Sequence, residues 1–103
     1  MASLIDGAAG TKKNYLTAIK EAIAEEMARN PHMIAMGEDI GILGGAFGVT
    51  DGLQARFGPE RVIDMPISEG AIVGTACGMA LNGKTVMVEM QFIDFISCGF
   101  DQI

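Results

Sequence analysis

An α/β fold, with a parallel sheet and helices on both of its faces, follows from two features of the sequence. Short apolar runs rich in β-branched residues alternate with segments of helical periodicity, and glycine or proline stands at most handovers between them. The resulting order is α-β-loop-α-β-α-β-α, with no repeat and no linker. Alternation of this kind implies strands that run the same way, each returned by a helix that covers the sheet.

The elements follow in order. NYLTAIKEAIAEEMARN, residues 14–30, places Leu16, Ile19, Ile23 and Met27 on one stripe and Lys20, Glu21, Glu25 and Arg29 elsewhere. Asn14 is the expected N-cap, and Asn30-Pro31 the stop. MIAM, residues 33–36, is a buried strand, and the glycine-rich 37–48 is loop. TDGLQARFG is a short helix with Thr50 as its expected cap and Gly58-Pro59 as its stop. RVID, residues 61–64, is the second strand. In residues 70–83, Gly70, Gly74 and Gly78 recur every four positions, which aligns them on one helix face open to close approach by another backbone. TVMVEM, residues 85–90, is the third strand, and FIDFISCGFDQI opens a last helix. Residues 1–13 read as a flexible tail before a single domain unit at 14–103.

GMALNGKT, residues 78–85, matches the phosphate-binding pattern G-x-x-x-x-G-K-T. A P-loop needs a strand before it and a helix after it, because the helix N-terminus supplies the N–H groups that hold phosphate. Here Gly78 lies in a helix and Thr85 begins a strand. The order is reversed, and Gly83 is expected to stop the helix.

Composition narrows the function further. The 103 residues are half hydrophobic and only 19% charged, an apolar balance for a small domain, so some of that surface is expected to meet a partner. Thirteen acids against seven bases, with no basic cluster beyond Lys12-Lys13, argue against nucleic acid. No stretch has the length of a membrane span. The first residues have neither the apolar core of a secretion signal nor an Arg-rich presequence pattern, and the expected location is the cytoplasm. Cys77 and Cys98 form no C-x-x-C pair and lie among apolar or small residues, so both are expected as buried thiols. His32, the single histidine, is expected exposed, and no metal site is expected.

Candidate chemistry gathers at the strand ends, where ligands bind in parallel α/β sheets. Glu38-Asp39 follows the first strand, Ser68-Glu69 the second, and Glu89, Gln91 and Asp94 cluster after the third. Each has a plainer reading. Glu69 suits a first helical turn, Glu38-Asp39 a solvated loop start, and the last group simply ends a strand. Phe92 and Phe95 suit a core as well as a stacked ring. The convergence of one carboxylate per strand on one sheet edge is stronger evidence than any of them singly. No Ser/His/Asp set, G-x-S-x-G or G-x-G-x-x-G is present.

The pieces G-E-D, R-F-G-P-x-R-V, P-I-S-E and F-D-Q-I, in this order and spacing, resemble the beta subunits of thiamin-diphosphate-dependent 2-oxo acid dehydrogenases. That family includes pyruvate, branched-chain and acetoin-cleaving enzymes, and the resemblance covers residues 14–103. It implies part of a transketolase-like pyrimidine-binding domain. It also implies that Glu69, the Glu of P-I-S-E, bonds N1′ of the cofactor's aminopyrimidine as the catalytic carboxylate, which is acid–base work through the cofactor. Glu38 then belongs to the active-site polar network, and Gln91 and Phe95 line the aminopyrimidine pocket. Gly70, Gly74 and Gly78 match a helix at the family's subunit interface.

The implied partners are an alpha subunit that holds the diphosphate and its Mg²⁺, a second beta subunit, and a lipoyl-bearing acyltransferase. Beta subunits of the family are roughly three times longer, of two-domain size. The expectation is therefore an amino-terminal fragment, inactive alone. The alternatives are a non-catalytic interaction module of the same fold and, on the pattern at 78–85, a P-loop nucleotide-binding fragment.

Overall fold

The computed structural model describes residues 12–103. The tail assigned to residues 1–13 lies outside the described residues except for Lys12 and Lys13, both exposed, of which Lys13 pairs with Glu21. Helix α1 spans Tyr15–Arg29. Asn14 caps it by accepting the Thr17 N–H through its side chain at 2.8 Å, and the helix ends at Asn30, before Pro31. Of its apolar stripe, Met27 is fully buried and Ile23 packs against the core, whereas Leu16 and Ile19 at the start of the helix stay about a third exposed (36% and 37%).

Strand β1, Met33–Gly37, is the middle of a three-stranded sheet. It is flanked by β2, Val62–Asp64, and β3, Thr85–Val88, both parallel to it. All five β1 residues are buried, as expected of a strand covered on both faces. The period of two divides them. Met33 and Ala35 share one core layer with Met27, Ile40, Val62 and Leu53 of helix α2, Leu53–Phe57. Ile34 and Met36 share the opposite layer with Ile72 of helix α3, Glu69–Leu81, and with Ile63 and Val86 of the outer strands.

Connectivity explains the two layers. The chain leaves β1 through α2 to reach β2 at one edge, then returns through α3 across the sheet to β3 at the other edge. Two crossovers of the same hand that travel in opposite directions place their helices on opposite faces.

The last segment, Ile93–Gln102, is a 3₁₀ helix rather than an α-helix. Its Phe, Ile, Ser, Cys, Gly and Asp residues are all weak α-formers, and Ser97 Oγ donates back to the Asp94 carbonyl at 3.0 Å. This segment packs on α3 at Gly99, where a Cβ would lie 2.9 Å from the Glu69 carbonyl and 3.0 Å from Val73. It also covers part of the glycine face. A Cβ on Gly74 would meet Gln102 at 3.2 Å and one on Gly70 would meet the Cys98 carbonyl at 3.8 Å, while Gly78 meets nothing within 4 Å.

Two sequence expectations are corrected. Both cysteines are exposed. Helix α3 is apolar on all sides, so its composition does not reveal which face meets the sheet. Ile72, Ala76 and Met79 take that face, leaving Cys77 outside, where its thiol donates to the Gln102 carbonyl at 3.1 Å. Cys98 sits in the 3₁₀ segment, whose one buried residue is Gly99. Thr50 does not cap α2. It is fully buried and donates to the Ile40 carbonyl at 2.8 Å, and Gly52, at φ 81°, precedes the helix instead.

The reversed order at 78–85 is as expected. Helix α3 ends at Leu81, Gly83 turns at φ 89°, and β3 starts at Thr85. His32 is exposed, also as expected.

Candidate active site

The loops that leave β1 and β3 turn to opposite faces of the sheet. The first leads to α2, and the second leads to the 3₁₀ segment on α3. In open α/β sheets this divergence opens a crevice at the carboxyl ends of the strands. Glu38 follows β1 there, Glu89 follows β3, and Glu69 begins α3 just after β2.

Glu38 is buried, with 7% of its surface exposed, so the solvated-loop reading fails for it and holds only for its exposed neighbour Asp39. Burial is the main cause that raises its carboxyl above the ordinary value of 4.5. The Glu69 carboxylate adds to this through its charge and a shared hydrogen bond, and Asp39 adds less. Glu69 occupies the first turn of α3, where the helix dipole favours a negative charge. Two acids are thus held together at the crevice, one of them, Glu38, buried and raised.

Glu89 completes the group. Its own N–H continues the ladder by donating to Met36 O at 2.9 Å. Its side-chain Oε2 accepts the Glu38 N–H at 3.2 Å. Burial raises the Glu89 carboxyl, the bond from the Glu38 N–H lowers it, and the charges of Glu38 and Asp39 raise it again. Asp39 then turns the chain through a left-handed conformation, φ 57°, which Asp tolerates better than most residues.

The structure brings Glu38, Glu69 and Glu89 together, and it puts Phe95 in a separate group. Phe95 packs edge-on against Phe92 at 5.8 Å, and Phe92 against Phe47 of the β1 loop at 5.7 Å. Gln91 is half-buried on the chain between Glu89 and these rings, and Asp94 is exposed. Three residues that matter here escape sequence reading. Gly37 gives Glu89 room, Phe47 extends the aromatic group, and Asp64 Oδ1 accepts the Gly41 N–H at 2.7 Å to tie down the β1 loop. A glycine placed directly after an apolar strand was the available signal for the first.

The concave features near the helices lie elsewhere. A cleft of about 440 Å³ between α1 and α2 and another of about 360 Å³ beside α2 contain none of the three glutamates. Among the described residues, no group of three or more His, Cys, Asp or Glu side chains is arranged to hold a metal ion. No helix of the described residues is long and apolar enough to cross a membrane.

The family model for the transketolase pyrimidine-binding domain matches residues 11–103, nearly the whole chain. The chain belongs to this family. Among proteins similar to this chain is a pyruvate dehydrogenase E1 component subunit beta of Leifsonia xyli, 46% identical over 84% of the chain and 26% of the relative. Another is a 2-oxoisovalerate dehydrogenase subunit beta of Bacillus subtilis, 46% identical over 87% of the chain and 28% of the relative. A third, a pyruvate dehydrogenase E1 component subunit beta of Mesostigma viride, is 48% identical over 90% of the chain and 28% of the relative. The chain therefore spans about a quarter of the length of these relatives.

Proposed function

We propose that this chain is the amino-terminal portion of the beta subunit of a thiamin-diphosphate-dependent 2-oxo acid dehydrogenase, of the pyruvate or branched-chain type or an acetoin-cleaving relative. The observation that carries the reading is the buried Glu38, raised by its contact with Glu69 at the carboxyl edge of a pyrimidine-binding fold. The site suits one end of the cofactor. A pair of carboxyls that share a proton complements an aminopyrimidine, and the nearby aromatic side chains offer faces for stacking.

It does not suit the other end. The cations of the sheet and its nearby helices lie elsewhere, Arg61 and Lys84 at the amino end of the sheet and Lys20, Arg29 and Arg56 on α1 and α2. In this reading the diphosphate and its Mg²⁺ fall to an alpha subunit.

Thiamin diphosphate, when bound, supplies an acidic ring carbon that adds to the substrate carbonyl. In this reading Glu69 holds a proton at the pyrimidine N1′ nitrogen, and Glu38 keeps the Glu69 carboxylate oriented and supplied with protons. Gln91 and Phe95 shape the wall around the ring. The exposed Ile42, Leu43 and Phe47 of the β1 loop, and Leu81, Phe100 and Ile103 beside the open end of the glycine face, are apolar surface of the kind that partners cover. They fit an alpha subunit and a second beta subunit, with a lipoyl-bearing acyltransferase as the acceptor of the acyl product. A reducing cytoplasm suits the two free, exposed thiols.

In a beta subunit that carries this segment, assembled with its alpha subunit, Glu69→Gln is expected to lower turnover by roughly 10²–10⁴-fold with the melting temperature unchanged. An unaltered rate would reduce Glu69 to a helix-start acid. Calorimetric titration of the chain alone with thiamin diphosphate and Mg²⁺ is expected to show no tight binding. One-to-one binding without an alpha subunit would mean the phosphate site lies here after all.

A further inference from the structure

The parallel ladder between β1 and β3 ends in an unusual way. Met36 pairs with Val88, and Glu89 N–H donates to Met36 O. A continued ladder would next offer the Glu38 N–H a backbone carbonyl of β3. It meets the side chain of Glu89 instead, at 3.2 Å. A side chain folded back in this way takes up space between the strands, and Gly37 provides that space. A Cβ on Gly37 would stand 2.6 Å from Glu89 Cβ and 2.7 Å from Oε2, and no heavy atom can occupy that position. The N–H thus bound belongs to the buried Glu38, one residue before the left-handed turn at Asp39.

The geometry points to Glu89 as a positioning residue. Its carboxylate, admitted by Gly37, ends the β1–β3 ladder, fixes the Glu38 backbone and so presents the Glu38 carboxyl to Glu69. This rests on the reading of Glu69 and Glu38 as the proton site for the pyrimidine. In this role the carboxylate of Glu89 acts through Glu38, whose N–H it holds.

Three substitutions test it. Glu89→Gln keeps an acceptor of the same reach, Glu89→Ala removes it, and Gly37→Ala leaves the carboxylate in the sequence but takes its space. The first readout is the Glu38 amide proton shift in this chain by NMR, which does not depend on any catalytic reading. The second is kcat and substrate KM in the assembled enzyme, with Glu69→Gln alongside. Glu89→Ala and Gly37→Ala should both move the Glu38 amide upfield and lower kcat by on the order of 10- to 100-fold, as expected of a displaced acid, with KM little changed. Glu89→Gln should restore most of both.

A Glu38 amide unmoved by Glu89→Ala would overturn the proposal. So would a Glu89→Gln enzyme as impaired as the Ala variant, or a shifted amide with kcat untouched. If Glu69→Gln is fully active, the catalytic reading of the site is what has failed, and the amide shifts still report whether Glu89 holds Glu38.

Discussion

The two ends of the sheet are built on opposite electrostatic plans. At the amino end, Arg61 gathers three backbone carbonyls, those of Met27 and Asn30 at 2.7 Å each and of Met33 at 3.0 Å, and its guanidinium lies 5.1 Å from the Phe57 ring centre. A cation there meets carbonyls at and beyond the end of α1, where the helix dipole favours positive charge. At the carboxyl end, three glutamates gather, and burial raises two of them, with neighbouring carboxylates adding to it: Glu69 and Asp39 for Glu38, and Glu38 and Asp39 for Glu89. One end spends its charge on holding α1 to the sheet. The other end keeps like charges close at a cost in stability, and it is the end where the proposed site lies.

That contrast is most sharply broken by removing its stabilising half. Arg61→Ala is expected to destabilise the chain by about 2–4 kcal/mol, because three carbonyls lose a charged donor. Chemical denaturation measures it, and a cost under about 0.5 kcal/mol, the range of ordinary surface changes, would show the amino end to be ornamental.

A smaller loss is expected at the α3 contact beside the acidic end. Gly99→Ala, which forces a Cβ against the Glu69 carbonyl and Val73, should cost about 1–3 kcal/mol. It should also raise amide exchange in residues 93–102 before the sheet is affected. Uniform exchange across the chain would argue against a separately detachable 3₁₀ segment.

At the acidic end itself, Glu38→Gln should have the reverse sign. A carboxyl raised on folding makes the native state bind more protons, so its contribution is fully present below the unfolded-state value. That contribution is lost as pH rises from there through the raised native value. Denaturation midpoints of the unsubstituted chain should therefore fall as pH rises above about 4.3, and Glu38→Gln should flatten that slope. An equal slope in both would remove Glu38 from the account. The smallest effect belongs to the exposed Lys20–Asp51 pair at 3.8 Å, where Asp51→Asn should change stability by less than about 0.5 kcal/mol in the same assay.

The sequence made the elements legible because periodicity, Asn14, Asn30-Pro31 and Gly83 are local signals. It made the convergence of carboxylates legible because parallel topology sends every strand end to one edge. What it concealed was set by contacts distant in the chain. Thr50 reaches back ten residues to Ile40, and nothing beside it distinguishes that role from a cap. The cysteines misled because α3 is apolar on every side, and only the sheet selects the face it buries. Glu38 and Asp39 are adjacent acids with opposite burial, and the acceptor of the Glu38 N–H is Glu89, 51 positions away, which no local pattern names.

The most direct measurement is a side-chain carboxyl titration of Glu38 by ¹³C NMR, in the unsubstituted chain and in Glu69→Gln. The account predicts a midpoint clearly above the ordinary 4.5. In Glu69→Gln that midpoint should fall part of the way back, because the charge of Glu69 is removed while burial remains. A Glu38 that titrates at its ordinary value, or one indifferent to the loss of the Glu69 charge, would contradict it.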